Sequence, residues 1–486
     1  MGIVLKQSFK NTLILFLGFA IGGLNVLFLY THFLHEDYYG LITFLLSSAN
    51  MILPLLVFGM QHTIIKFYSS YKTKKQQDQF LSTSLFLPLL IIIPLALIGA
   101  LTYETIAEWL SRENAIIKPY TFLIFLAAIF MGYFEVFYSW SKVQLQSVFG
   151  NFIKEMFARI SATVLLILVY YGKLSEEQFI YAIVIVYGIR MLLMMVYAFS
   201  LYQPKLIFKF PENFKEIIAY SLYIILAGSA AGILLEIDKF MIPQLEQIAE
   251  VAYYSVGIYI ASVISIPSRA MKQIINPLTA KELNTNNLEE VESLYKKSSV
   301  NLLAAGGLLF LLINLNVEDL YVLIDKPEYS VGIAIVLLIS VSEMIKTLIG
   351  TNGAILTNSK YYKAFFYFSV AMALSVIILN RWLIIIFGIN GAALATLLVV
   401  FVYSVIKIVY VRQKLNMQPF TKNTLRALLL IITLFFSFYF WNFSFHPIIN
   451  IVLKTILISV IYLVLIVKLK VSEDVQEVLK RYNIRL

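Results

Sequence analysis

Residues 217 to 242, IIAYSLYIILAGSAAGILLEIDKFMI, are long and apolar enough to cross a bilayer, yet they carry Glu236, Asp238 and Lys239 toward one end. About 20 apolar residues span the hydrocarbon core, and an ionisable group there costs roughly 2.5–3.5 kcal/mol on insertion scales unless it faces a partner or a wet cavity. Two readings are open. The charges can mark a helix end that has reached the interface, or Asp238 at least can lie on the wall of an internal polar cavity through which a solute passes.

The rest of the chain has the same character. Of 486 residues, 60% are hydrophobic and 14% charged, with a mean hydropathy of +0.83, whereas soluble proteins hold about 25% charged residues. This is an integral membrane composition. The net charge of +10 speaks to topology rather than to nucleic acid, because basic residues gather in cytoplasmic loops beside anionic headgroups. The absence of cysteine excludes disulfides and thiolate metal sites. Four scattered histidines, His32, His35, His62 and His446, are too few for a metal cluster, and His35-Glu36-Asp37 reads as a solvated loop. No metal or cofactor is expected. Lys6 and Lys10 precede an apolar run that continues to about Leu34, too long for a signal peptide, so it reads as an uncleaved first helix.

Hydropathy windows of about 19 residues predict an all-α protein with about fourteen transmembrane helices. They lie near 12–34, 40–60, 82–103, 119–140, 152–171, 178–200, 217–240, 251–271, 299–316, 332–356, 362–380, 390–411, 425–445 and 449–469. With both termini in the cytoplasm, 29 Lys and Arg fall in inside segments and only Arg112, Lys118, Lys173, Lys326 and Arg381 outside. Adding or removing one helix would erase that bias.

A repeat is visible in the order of features. Gly18 and Gly22 in the first helix match Gly228 and Gly232 in the seventh, Tyr38-Tyr39 matches Tyr253-Tyr254, and Pro54 matches Pro267. The expected organisation is a six-helix lobe over 1–200, a cytoplasmic amphipathic linker over 201–216, a pseudo-symmetric six-helix lobe over 217–411, and two further helices with a cytoplasmic tail over 412–486. Parallel repeats of this kind are related by an axis along the membrane normal.

Catalytic motifs are missing. There is no GxxxxGK[ST] loop, HExxH or GxSxG elbow, and no connection is long enough for the extracytoplasmic domain that a membrane sugar polymerase or glycosyltransferase usually needs. The intramembrane charges are the informative set: Glu135, Arg159, Arg190, Glu236, Asp238, Lys239, Glu343 and Lys346. Each can be a structural pair or a snorkelling side chain. Together, a cleft between two bundles would keep them hydrated at the lowest energetic cost. Arg190 and Lys346, with Lys239 and Arg159, then suit an anionic group such as a diphosphate, and Asp238, Glu236, Glu343 or Glu135 suit a proton or sodium ion.

Residues 33 to 69, FLHEDYYGLITFLLSSANMILPLLVFGMQHTIIKFYS, resemble the first-to-second helix region of bacterial polysaccharide biosynthesis proteins, through Glu36, Tyr39-Gly40, Phe58-Gly59 and Lys66. FGINGAALAT, 387–396, is similar to the stretch that opens the twelfth helix in the same superfamily. Ile237-Asp238-Lys239 and PEYSVG, 327–332, are weaker matches. The resemblance implies the multidrug/oligosaccharidyl-lipid/polysaccharide exporter fold in the bacterial inner membrane. It also implies movement of an undecaprenyl-diphosphate-linked oligosaccharide by alternating access coupled to H+ or Na+. A lipid II flippase or a multidrug antiporter shares that fold. Only Asp238 and Lys239 rest on the motif. The repeat positions of Glu236 and Asp238 are Val26 and Phe28, so an ion site is not expected to be duplicated.

Overall fold

The computed structural model describes residues 2–441, 443–472, 474, 476 and 477, without the side chains of 2–6, 8, 9, 227–231 and 273. Lys6, Gly228, Lys480, Arg481 and Arg485, used in the sequence reading, therefore lie outside the described residues or side chains. Among the described residues there is no strand, and the chain is an all-α integral membrane protein.

Among the described residues twelve helices are long and apolar enough to span a membrane, and two more complete a series of about fourteen. In chain order these are α1 (Lys10–Phe33), α2 (Glu36–Leu56), α3 (Lys74–Leu101), α4 (Ala115–Val143), α5 (148–170), α6 (Glu176–Leu201) and α7 (Phe214–Met241). They continue as α8 (Ala249–Lys272), α9 (Leu288–Asn314), α10 (Pro327–Leu348), α11 (Tyr362–Phe387), α12 (Ile389–Leu415), α13 (Lys422–Tyr439) and α14 (Pro447–Lys468). α5 carries Lys154, Glu155 and Arg159, too many charges for a purely lipid-facing span. Apolar side chains such as Leu97, Leu101 and Phe436 stand exposed on the outside, as lipid solvent permits.

Residue contacts gather the chain into two compact units, 1–252 and 253–486. In the first, α4 packs between α2 and α6, and α7 packs on α2. In the second, α12 packs on α10 and α11, and α9 packs on α10, α13 and α14.

Local sequence sets the ends and breaks. Ser175 and Thr421 cap α6 and α13 through reciprocal side-chain and backbone hydrogen bonds. Pro54 and Pro267, paired in the repeat, both sit at interruptions: α2 breaks at residues 57–59 and resumes as Met60–Phe67, and α8 passes through a 3-10 turn at Val263–Ser265. Tenth-helix continuity expected to 356 is broken at Gly350 (φ +48). The connections at 104–118 and 317–331 contain helices Tyr103–Leu110 and Val317–Ile324. The linker is extended, held to the start of α3 by a Tyr202 hydroxyl donating to Asp78 (2.7 Å) and Gln79 donating to the Phe210 carbonyl (2.6 Å).

FGINGAALAT makes the tight turn from α11 to α12. Gly388 has φ +58 and ψ −144, a region that side chains strain to enter. A Cβ on Gly391 would lie 1.9 Å from the Leu383 carbonyl oxygen. Gly391→Ala should therefore force the two helices apart and cost about 1–3 kcal/mol, read as a lowered midpoint of thermal unfolding in nanodiscs; an unchanged midpoint would show that the turn has slack.

Candidate functional site: three groups of intramembrane charge

The first group is built by α4, α5, α6 and the Met60–Phe67 helix. Glu135 and Lys142 are seven apart on α4, one face of two helical turns, with Tyr138 between them. Glu135 accepts from Lys154 at 2.7 Å, and Arg159 donates to Glu155 at 2.9 Å. Lys142 lies over the Tyr138 ring at 3.7 Å. His62, exposed on the Met60–Phe67 helix, sits within electrostatic range of Glu135, Lys142 and Lys154.

Arg190 differs from its neighbours. It is 7% exposed, it stacks on Phe134 at 3.9 Å, and among the described residues it has no ion pair or hydrogen bond, its Nε included. The nearest carboxylates, Glu135 and Glu155, are engaged by Lys154 and Arg159. Four cations thus face two carboxylates in this group.

Helix irregularity positions it. α1 and α5 each contain a π-helical turn, Asn25–Leu29 and Ile153–Phe157, and such turns leave carbonyls without their usual partners. Buried Asn25 donates to the Arg159 carbonyl at 2.8 Å and accepts from Thr163 at 2.7 Å. Gly18 lets α1 come close, since a Cβ there would meet the Glu155 carbonyl at 2.7 Å and the Arg159 guanidinium at 2.9 Å.

The second group lies in the other unit. Glu343 and Lys346 pair at 2.8 Å on α10. Lys272 is within electrostatic range of both and of Arg269, and Lys407 of Lys346 and Lys272. Four cations face one carboxylate. The third group is on α7: Glu236 accepts from Lys239 at 3.0 Å and from Asn50 at 3.3 Å, with Asp238 buried two residues away.

Of the eight residues expected from sequence, Glu135, Arg159 and Arg190 come together, as do Glu343 and Lys346, and Glu236, Asp238 and Lys239. Lys142, Lys154, Lys272 and Lys407, which the sequence reading assigns to the inside segments, lie beside these residues. Lys154 belongs to the π turn of α5, Lys272 to a helix that runs on to Asn284, and Lys407 to α12, eight residues before its end. The i, i+7 spacing of Glu135 and Lys142 was the available signal.

About fourteen long helices among the described residues, with charge clusters inside them, define a multi-pass membrane protein, and its fold is that of known transporters. One solved structure, that of lipid II flippase MurJ in an inward closed conformation, matches with a TM-score of 0.69 at 14% identity, covering 93% of this chain and 97% of that one. A multidrug resistance MATE family transporter of the MOP superfamily, inward-facing, matches at 0.59 and 13%, covering 83% and 94%. A MOP superfamily transporter from Pyrococcus furiosus matches at 0.55 and 12%, covering 85% and 96%. No curated protein matches by sequence. The chain belongs to the polysaccharide biosynthesis protein family, whose profile matches residues 8–269, more than half its length.

Proposed function

We propose that the chain is a flippase, not an enzyme, that carries an undecaprenyl-diphosphate-linked oligosaccharide across the bacterial inner membrane by ion-coupled alternating access, with both termini cytoplasmic. The observation that carries this reading is Arg190, a buried guanidinium with no anionic partner among the described residues. A planar fork of donors suits phosphate oxygens, and the excess positive charge around it favours a dianion. Arg159, Lys239 and Lys346 are the other proposed substrate cations, joined by Lys272 and Lys407. Membership of the polysaccharide biosynthesis family supports a saccharide-bearing lipid.

Asp238, Glu236, Glu343 and Glu135 are the proposed ion-coupling carboxylates. Glu135, Glu236 and Glu343 are each engaged by a lysine, so uptake of H+ or Na+ would compete with that lysine. Such competition links the ion to the position of the cation beside it.

Binding of undecaprenyl diphosphate and of uncharged undecaprenol to the purified chain tests this. Affinity should fall tenfold or more without the diphosphate, in keeping with charge-assisted hydrogen bonds of about 1.5–3 kcal/mol. Lys272→Ala with Lys407→Ala should weaken the diphosphate alone. Equal affinity for both lipids would contradict the proposal.

A further inference from the structure

A pocket of about 360 Å³ lies in the second unit, where α9 and α13 begin and α14 has just ended. Three lysines line it: Lys296 and Lys297 from α9 and Lys422 from α13. Lys296 is held by Glu292 at 2.6 Å. Lys297 and Lys422 are exposed, and among the described residues neither has a carboxylate or hydrogen-bond partner.

The remaining wall holds polar side chains, one acid, and the apolar Val300 and Val471. Asn301 donates to Asp474 and accepts from the Ser472 hydroxyl at 2.6 Å, so the carboxylate is already engaged. Thr421 caps the amide of Thr424 at 3.1 Å, while the amides of Lys422 and Asn423 begin the helix without carbonyl partners. Arg426, one turn further on, donates to the Asn423 side chain at 3.2 Å and reaches the Leu469 carbonyl at 3.4 Å. Two uncommitted ammonium groups beside the unpaired first amides of α13 favour an anion with several acceptor oxygens. Basic pockets between helices at the membrane surface hold lipid headgroups for this reason.

We propose that this pocket binds one phosphate group, borne either by an anionic phospholipid headgroup or by a soluble phosphate ester. It shares no residue with the three charge groups described above, so it stands apart from the transport proposal.

The test is thermal unfolding of the full chain, purified in lipid-depleted detergent, against added phosphatidylglycerol, diacylglycerol or glycerol 3-phosphate. Phosphatidylglycerol should raise the midpoint and diacylglycerol, which lacks the phosphate, should not. K297E/K422E should need at least about tenfold more phosphatidylglycerol for the same shift, each lysine near a headgroup being worth about fivefold. K72E/K75E, which reverses two exposed lysines elsewhere, should behave like the wild type, and Asp474→Asn should bind more tightly. A shift reproduced by glycerol 3-phosphate at equal concentration, and lost in K297E/K422E, would assign the soluble ester. No shift with any probe, a shift with diacylglycerol, or an undiminished shift in K297E/K422E would overturn the proposal.

Discussion

Arg190→Met is expected to abolish transport while leaving the protein as stable as the wild type or slightly more so. A cation inside a membrane helix costs roughly 2.5–3.5 kcal/mol on insertion scales. Stacking on Phe134 at 3.9 Å returns about 0.5–2 kcal/mol. With Glu135 and Glu155 committed to other cations, little else offsets the desolvation, so an apolar side chain of similar length should be tolerated. The loss should appear instead in substrate affinity, tenfold or more, because the charge-assisted contacts to the diphosphate go with the guanidinium. Arg190→Lys should recover part of it, keeping the charge and losing the fork. Unfolding midpoints in nanodiscs and transport in vesicles separate the two effects. A variant destabilised by more than about 2 kcal/mol yet fully active would make Arg190 a structural residue.

Lys454→Ala is expected to do the reverse, removing stability rather than chemistry. Lys454 in α14 donates to Asp319 at 3.1 Å and to the Leu315 carbonyl at 3.4 Å, and Asn450 donates to the other Asp319 oxygen at 3.2 Å. The lysine side chain is 6% exposed and the aspartate 16%. Truncating one partner strands the other charge in an apolar setting, a loss of about 3–5 kcal/mol, whereas replacing both with apolar residues is often neutral. The double variant Lys454→Met, Asp319→Leu should therefore regain most of the midpoint that Lys454→Ala loses. Equal midpoints for Lys454→Ala and the wild type would show that this pair does not tie α14 to the helix Val317–Ile324.

These residues also show what the sequence discloses. Lipid rewards long apolar runs, so hydropathy alone finds the spans, including α7 with its three charges. FGINGAALAT is legible as well, because only glycine fits at Gly388 and Gly391. Side-chain partners are another matter. Lys454 meets Asp319 across 135 residues of sequence, from a connection that reads as a short loop. Nothing in the sequence around Lys154 and Lys407 signals that they neighbour Glu135 and Lys346. The π turns that bring Asn25 to Arg159 leave no compositional trace, since they depend on one inserted residue per turn and on the neighbouring helix that fills it.

The most direct test is translocation by the purified chain in vesicles of a fluorescent undecaprenyl-diphosphate oligosaccharide, read by quenching from the outside. The wild type should move the lipid within the assay, faster under an imposed H+ or Na+ gradient, and Arg190→Met should not. Equal movement by the wild type, by Arg190→Met and by empty vesicles would contradict the account.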